Sequence, residues 1–345
     1  MQNILIFYSE YMPYTHVVVL ELVKLKYCVH VVRRTEGNET PYVAKETKGI
    51  CFYSRSEYNS VDKLLQLYHE VEPVLILTSG WMDALYNKTC KQLKSNTEIP
   101  IIAGSDTQFR GKSQWINVLL SPFRHRKWFT HLFVAGIWQY GYARRLGFKK
   151  ESILISNLSA DVELFQQVDI AAKEKNYPKN LLFIGRYNSV KGLIPLMKAW
   201  DSIEDKQGWK LTLVGNGPLK KKLSRYDVEL LDFRRQEELM EITQNAGCLI
   251  LPSSFEPWAL VLHEASAAGL PIIASDICGA VPYFVINGYN GCTFSHKRKD
   301  DLKKKIEKVI NMKEQELVEW SLNSRKLSSR ITPEIVAKTL VSIRY

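Results

Sequence analysis

The sequence predicts an α/β protein with two doubly wound domains, each built on a parallel sheet. Short apolar runs alternate with helix-length segments along most of the 345 residues. This alternation is typical of parallel strands that helices cover on both faces, and the chain is long enough for two domains of ordinary size. The predicted strands form two series: 3–7, 28–32, 74–78, 99–103, 131–134 and 153–155, then 180–184, 210–214, 228–232, 248–251 and 271–274.

The predicted boundary between the domains is the polar stretch 161–179, which is rich in Lys, Asp and Glu and which we interpret as a linker. Residues 1–160 then form an N-terminal domain and residues 180–325 a C-terminal one. The residues after 300 predict three helical segments, and whether the last of them, at 326–345, crosses back to the first domain stays open. Ligands of such sheets bind outside the carboxyl ends of the strands, so we expect the site in a cleft that the two domains face.

Composition excludes several classes of protein. No apolar run is long enough to span a bilayer, and the first residues lack the basic end and cleavage site of a signal peptide, so a cytoplasmic protein is expected. The six cysteines are scattered without a C-x-x-C pair. We expect core thiols in a reducing compartment and neither a disulfide nor a zinc site.

Two carboxylates stand eight residues apart in the segment LPSSFEPWALVLHEASAAGLPIIAS. Pro257 follows Glu256 at a predicted helix start, and helix-forming residues run over 259–268 before Gly and Pro end them. The free N–H groups and positive dipole end of such a helix bind anions. Glu264, in the second turn, would reach hydroxyl groups of the ligand. A helix cap at Glu256 and a solvated face at Glu264 are the alternatives.

A second motif, IGRYNSVKG, follows the predicted strand 180–184. Gly185 allows a sharp turn, and Arg186 and Lys191 bring two fixed cations to the end of the strand. Arg offers a planar fork and Lys a point charge, which suits a diphosphate. Taken alone, the pair could equally be two surface cations.

Together the two segments resemble the E-x7-E and G-R-x4-K-G elements of retaining glycosyltransferases of family 4, which have the GT-B fold. The resemblance implies that Glu256 contacts the transferred sugar and Glu264 the nucleotide ribose. It also implies that Arg186 and Lys191 hold the donor pyrophosphate. The likeness is strong from about residue 156 to 294, where LVGNGP and GYNGCTF resemble glycine-containing runs to which we assign a structural role.

Further site candidates are individually weaker. Asn157 lies in SNLSADVELF, which resembles the N-G-V-D-x-x-x-F crossover of the family but has Leu158 in place of Gly. Asp106 follows the fourth predicted strand, where the family often touches the donor sugar; a turn cap is the alternative. Tyr14, Thr15 and His16, in a first loop without glycine, either line the acceptor side or only build the loop.

The resemblance implies transfer of a sugar from a nucleotide-sugar donor to a glycan or lipid-linked acceptor. The segment EPWALVLHEA is similar to the corresponding segment of family members that build bacterial surface polysaccharide and lipopolysaccharide. No D-x-D pair occurs, so neither a metal nor a cofactor is expected. The cations Arg186 and Lys191 and the helix start at Ala259, Leu260 and Val261 would neutralise the leaving diphosphate. A sugar-nucleotide epimerase and a catalytically silent sugar-nucleotide-binding subunit are the alternative functions.

Charge is concentrated in residues 107–150, which carry nine basic residues, ten aromatic residues and no acid, within a chain of net charge +11. Such a field attracts phosphate groups. An anionic membrane surface suits basic and aromatic side chains together, and an ordinary helix with its apolar face packed inside is the alternative. No nucleic-acid-binding module is present, so nucleic acid is not an expected partner. The residues concerned are Trp115, Leu119, Leu120 and Phe123 on one helical face and Arg124, Arg126 and Lys127 at its end.

Overall fold

The computed structural model describes residues 1–34, 46–111 and 114–343. The chain divides into two compact units. Unit 1 comprises Met1–Ser159 and Pro333–Tyr345, and unit 2 comprises Ala160–Thr332. A parallel α/β sheet forms the centre of each, which confirms the predicted fold class.

Unit 1 contains a seven-stranded sheet with the strand order β3-β2-β1-β4-β5-β6-β7. Every pair of neighbours is parallel. Its strands are β1 (Gln2–Tyr8), β2 (Tyr27–Arg33), β3 (Ile50–Ser54), β4 (Leu75–Thr78), β5 (Ile101–Ser105), β6 (His131–Val134) and β7 (Ile153–Ile155). Its helices are α1 (Pro13–Lys24), α2 (Val61–Val71), α3 (Ala84–Asn96), α4 (Gln114–Leu120), α5 (His125–Trp128), α6 (Ile137–Arg145) and the last helix of the chain, α16 (Pro333–Val341).

Unit 2 contains a six-stranded parallel sheet with the order β10-β9-β8-β11-β12-β13. Its strands are β8 (Asn180–Ile184), β9 (Lys210–Val214), β10 (Glu229–Leu231), β11 (Cys248–Leu251), β12 (Ile272–Ser275) and β13 (Gly291–Phe294). Its helices are α7 (Val162–Phe165), α8 (Ile170–Lys175), α9 (Leu193–Asp201), α10 (Lys220–Leu223), α11 (Gln236–Gln244), α12 (Leu260–Ala267), α13 (Val281–Phe284), α14 (Asp301–Ile310) and α15 (Glu314–Ser328). Short 3₁₀ turns occur at Ser121–Phe123, Lys150–Ser152 and Ser189–Lys191.

The sequence did not predict β3 and β13, each of which lies at one edge of its sheet; the strands at the opposite edges, β7 and β10, were predicted. No residue of β3 is fully buried, and β13 begins with Gly and contains a Thr. An edge strand packs on fewer neighbours, so its apolar pattern is weaker than that of a central strand.

The predicted linker at 161–179 is wrong: these residues form α7 and α8 and pack into unit 2. Although the segment is polar overall, the two helices have a buried face that includes Phe165 and Ile170. Lys173 is buried as well, and its ammonium group donates to the carbonyls of Thr243 and Ala246 at 2.9 and 2.8 Å. Burial lowers the pKa of Lys173 to about 7.

The last helix, α16, packs on α1 and belongs to unit 1. Its buried side chains are Val336, Ala337 and Leu340. Pro333 opens the helix, as predicted, and α14, α15 and α16 are the three expected helical segments. None of the described helices is long and apolar enough to span a membrane.

Candidate active site

The loops that follow the neighbouring strands β8 and β11 pack tightly against each other. Gly192 has φ +67°, and a Cβ atom there would lie 1.9 Å from the carbonyl oxygen of Pro252. Only glycine therefore fits at this close approach. The contact brings the loop that carries Lys191 onto the loop that carries Glu256.

Lys191 and Glu256 form an ion pair at this contact, and both side chains are largely buried. The hydroxyl of Ser253 donates to the same carboxylate oxygen at 3.2 Å. Lys191 also lies beside Gly185, because a Cβ added at Gly185 would be 3.7 Å from its Cε. Three of the predicted site residues are thus assembled at the carboxyl ends of β8 and β11.

The helix after Glu256 begins later than predicted. It starts at Leu260, and Pro257 lies in the preceding loop instead of at the first helical position. Ala259 precedes the helix with φ +80° and offers no side-chain cap, a conformation that costs energy for a residue with a Cβ. Among the described residues, the N–H groups of Leu260 and Val261 have no hydrogen-bond acceptor. They therefore remain available to an anion.

Glu264 lies about one turn into α12 and is partly buried. Desolvation raises the pKa of its carboxyl to about 7, although a hydrogen bond from Gln236 opposes the shift. The amide nitrogen of Gln236 and the carboxylate oxygen are 3.4 Å apart. Near neutral pH this group can therefore take either protonation state.

Arg186 directly follows Gly185 at the end of β8, and its side chain is exposed. It thus occupies the same edge of the sheet as Lys191 but reaches further into solvent.

Asp106 and Asn157 belong to unit 1 and so to a different body from the residues above. Asp106 is exposed after β5, and its backbone carbonyl accepts a hydrogen bond from the side chain of Gln139 at 3.1 Å. Asn157 follows β7, and a Cβ added at Gly104 would lie 3.0 Å from its amide nitrogen. Both lie at the carboxyl edge of the unit 1 sheet.

The first loop and the start of α1 reach the same edge. Burial, and to a smaller extent the charges of Asp106 and Glu10, raises the pKa of Tyr14 to about 12. Thr15 and His16 are buried. The Nδ1 atom of His16 is 3.0 Å from the hydroxyl of Tyr11, so this histidine helps to build the loop.

The glycine-containing runs have the structural contacts expected of them. A Cβ at Gly215 would lie 2.0 Å from the carbonyl oxygen of Gly185, so the ends of β9 and β8 approach closely. Asn290 is fully buried. Its side chain bonds the backbone of Ile286 and Phe284 at 2.8 Å each.

The segment 114–128 turns its apolar face outward. We call Trp115, Ile116, Leu119 and Phe123 the apolar ridge; they are 52%, 57%, 73% and 73% exposed. The face that packs inside is instead formed by Ser121, His125 and Phe129, which are buried. Arg124, Arg126 and Lys127, which we call the basic triad, are exposed. Trp115, Leu119 and Phe123 of the predicted face are thus exposed, whereas Leu120 is partly buried, and Val118 and Trp128 of the same segment pack against the core.

Some site residues were not predicted. Ser253 donates a hydrogen bond to Glu256, and Gln236 donates one to Glu264. The Nε2 atom of His296 donates to the carbonyl of Ser253 at 3.0 Å. The only signal for Ser253 is its position three residues before Glu256, and no sequence pattern marks Gln236 or His296.

The cysteines divide into two groups. Four are buried core thiols, as expected: Cys90, Cys248, Cys278 and Cys292. Cys28 and Cys51 are only partly buried. They lie with His30 in a cluster whose ligand atoms are all within 4.8 Å of one another, so the prediction of core thiols is wrong for these two.

Comparison with known proteins finds a family match within unit 2. Residues 165–327 match the family model described as "Glycosyl transferases group 1". The match spans 163 of the 345 residues, which is less than half of the chain. The lipopolysaccharide 1,6-galactosyltransferase of Salmonella typhimurium is 25% identical over 262 residues, which are 71% of this chain and 68% of that protein.

Other matches are shorter or limited to the fold. An uncharacterized glycosyltransferase of Methanocaldococcus jannaschii is 28% identical over 39% of this chain. The first curated relatives are matched over only 31% to 38% of their own length. The structure of Anabaena HepE in complex with UDP covers 98% of each chain with a TM-score of 0.73 and 16% identity. The chain therefore has the same fold, which is GT-B.

Proposed function

We propose that this chain is a retaining glycosyltransferase of family 4 that transfers a sugar from a nucleotide-sugar donor to a glycan or lipid-linked acceptor. The observation that carries the proposal is the ion pair between Lys191 and Glu256 beside Gly185 and the start of α12. It joins the two motifs at one strand edge, where ligands of such sheets bind.

The proposed reaction breaks the bond between the anomeric carbon and the diphosphate oxygen. A new bond forms between that carbon and the acceptor hydroxyl oxygen, on the same face of the sugar. The hydroxyl proton passes to the leaving phosphate, so that a nucleoside diphosphate departs. No metal or cofactor is invoked in this scheme.

Charge develops on the leaving diphosphate during this step. Arg186, Lys191 and the N–H groups of Leu260 and Val261 would stabilise it, because preorganised donors lower the barrier most where charge appears. Glu256 would position the sugar, and its present partner Lys191 would then turn towards the phosphate. Glu264 would accept hydrogen bonds from the ribose hydroxyls.

Unit 1 is proposed to bind the acceptor. The residues that support this assignment are Tyr14, Asp106 and Asn157 at the carboxyl edge of its sheet. Of these, Asp106 is the candidate for contact with the donor sugar.

An anionic membrane surface is the proposed partner of the apolar ridge and the basic triad. Exposed Trp and Phe side chains beside three cations match the chemistry of an anionic lipid headgroup region. A lipid-linked acceptor at the inner face of the cytoplasmic membrane, in the synthesis of a bacterial surface polysaccharide, fits this surface. The similarity to a lipopolysaccharide galactosyltransferase supports the same class of acceptor.

Donor binding and turnover test the proposed function. We would screen sugar nucleotides for thermal stabilisation, since a ligand that binds only the folded state raises its stability with occupancy. UDP-sugars come first because the similar HepE structure holds UDP. The best donor would then be incubated with membrane glycolipids, and the products identified by mass spectrometry.

Three outcomes separate the candidate functions. Appearance of a glycosylated acceptor with the anomeric configuration of the donor supports the proposal. An altered sugar nucleotide formed without acceptor would indicate the epimerase. Stabilisation by a donor without any turnover, over a full panel of acceptors, would indicate the silent binding subunit.

A further inference from the structure

A cluster of soft ligand atoms lies at the edge of the unit 1 sheet, on strands that carry none of the proposed catalytic residues. Cys28 and His30 are two positions apart on β2 and therefore project from the same face. Cys51 lies on β3 in register with His30. The two strands run parallel, so all three side chains meet on one face, with their ligand atoms within 4.8 Å of one another.

The spacing between the sulfur of Cys28 and the ring nitrogen of His30 is that of a tetrahedral metal site. The Sγ atom of Cys28 is 3.5 Å from the Nε2 atom of His30. In a tetrahedral zinc site, with bond lengths of about 2.3 Å to sulfur and about 2.05 Å to nitrogen, these two atoms would be about 3.6 Å apart. One ion can therefore reach both atoms without rearrangement of the strands.

The imidazole of His30 is held in place by a hydrogen bond on the ring nitrogen that faces away from the cluster. Its Nδ1 atom is 2.9 Å from the hydroxyl of Tyr53, and the two rings stack with centroids 5.9 Å apart. Tyr53 is two positions from Cys51 on β3 and shares its face of the sheet. Metal-binding histidines commonly have such a partner on the second ring nitrogen, which leaves the first free for the ion.

We propose that Cys28, His30 and Cys51 bind a zinc-type divalent metal ion that fastens the edge strand β3 to β2. Thiolate and imidazole ligands together select zinc over magnesium or calcium. No further His, Cys, Asp or Glu among the described residues joins the cluster, so water completes a four-coordinate site. Binding displaces the two thiol protons and leaves the oxidation state of the metal and sulfur unchanged.

The experiment uses the full chain purified without chelator. We expect about one zinc ion per chain by elemental analysis, and cobalt substitution should produce a thiolate-to-cobalt charge-transfer band. Cys28→Ser and Cys51→Ser should each abolish the band. Cys90→Ala is the matched control, because Cys90 is a buried cysteine of the same unit and should retain the band.

Tyr53→Phe keeps the ring and all three ligands, so it tests the geometry without relying on a variant that fails to fold. It should weaken zinc affinity by about 10-fold or more, as loss of such a partner does elsewhere. Zinc content that is the same in the cysteine variants as in the wild type would overturn the proposal. So would a Cys28–Cys51 disulfide found by peptide mapping of protein that was never reduced, or the absence of any cobalt band.

Discussion

The ammonium group of Lys191 is paired with the carboxylate of Glu256, on the loops that follow two adjacent strands of one sheet. Each charge offsets the other in a largely buried position, where an isolated charge would be costly. A diphosphate arriving at this edge would compete with Glu256 for the cation. In the proposed donor site, Glu256 therefore neutralises Lys191 until a diphosphate binds in its place.

Replacement of the two cations tests their role at the diphosphate. We expect Arg186→Ala and Lys191→Ala each to lower turnover by about 100-fold or more, through loss of charge stabilisation in the transition state. Arg225→Ala and Lys198→Ala, which remove exposed cations of the same unit, should leave turnover unchanged. Transfer rates are measured with far-ultraviolet circular dichroism as the folding control. Near-wild-type rates in both site variants would contradict the assignment.

The raised pKa of Glu264 predicts a pH-dependent cost to stability. Its folded pKa of about 7 lies above the ordinary value of 4.5, so the unfolded chain loses the proton first. The free energy of unfolding then falls as the pH rises from 4.5 to 7, by up to about 3 kcal/mol. Glu264→Gln should be more stable than the wild type at pH 8 but not at pH 4.

Denaturant titrations of wild type and Glu264→Gln at both pH values measure this difference. Glu241→Gln, an exposed site on α11, is the control and should show no such crossover. The same Glu264→Gln variant should bind the nucleotide donor more weakly, if the carboxylate holds the ribose. A variant no more stable than wild type at pH 8 would mean that the carboxyl is not destabilised by burial.

His263 should have the opposite pH profile. Its Nδ1 atom accepts from the backbone N–H of Ala160 and its Nε2 atom donates to the carbonyl of Ser328, both at 3.0 Å. Burial lowers its pKa from 6.5 to about 4, so stability is lost as the pH falls from 6.5 towards 4. We expect His263→Ala to cost about 2–5 kcal/mol at pH 7, and less at pH 4.

Chemical denaturation at the two pH values tests this prediction, with the exposed His69→Ala as the control. An equal cost at pH 7 and pH 4 would show that the folded protein holds this imidazole with an ordinary pKa.

A chelator should leave sugar transfer largely unchanged, because the sequence contains no D-x-D pair to hold a nucleotide-bound metal. Activity is measured after EDTA treatment and again after addition of Mg²⁺, Mn²⁺ or Zn²⁺. Complete loss that Mg²⁺ or Mn²⁺ restores would reveal a metal in the transfer reaction. Partial loss restored by Zn²⁺ alone, and absent in Cys51→Ser, would trace the effect to the cysteine cluster instead.

Binding to anionic vesicles should depend on the basic triad and weaken with salt. Each cation near the surface contributes roughly 1 kcal/mol, screened within about 10 Å at moderate salt. Reversal of Arg124, Arg126 and Lys127 to Glu should release the protein in co-sedimentation with vesicles that contain phosphatidylglycerol. Reversal of Lys297, Arg298 and Lys299, an exposed basic run in unit 2, is the charge-matched control.

Substitution of Trp115, Leu119 and Phe123 by serine should remove the part of vesicle binding that salt does not weaken. Unaltered binding by the triad variant would place the membrane contact elsewhere. Failure of the wild type to bind any vesicle would favour an acceptor that is free in solution.

Buried central strands could be predicted from the sequence with little error. Four of them coincide with the observed bounds: β6, β8, β9 and β11. Such strands are continuous apolar runs, and burial on both faces leaves few alternatives. The edge strand β3 lacks that signal, and Cys51 therefore could not be placed opposite His30.

The candidate site was predictable where a motif is contiguous. Gly185, Arg186 and Lys191 lie at one edge of the sheet because they share one strand end and its loop. The pairing of Lys191 with Glu256 spans 65 residues and depends on which strands are neighbours in the sheet. The start of α12 was misplaced because Pro257 suits a first helical turn as well as a loop, and nothing local distinguishes the two.

Unit 1 is interrupted in sequence: its helix α16 is made only after the whole of Ala160–Thr332. On a ribosome, that interval takes on the order of ten seconds or more. Throughout it, the apolar side of α1, including Val19 and Leu22, lacks the helix that covers it in the finished protein. Unit 2 is continuous in sequence and can therefore complete its fold before unit 1 does. The order of completion during synthesis is thus the reverse of the order in which the two units begin.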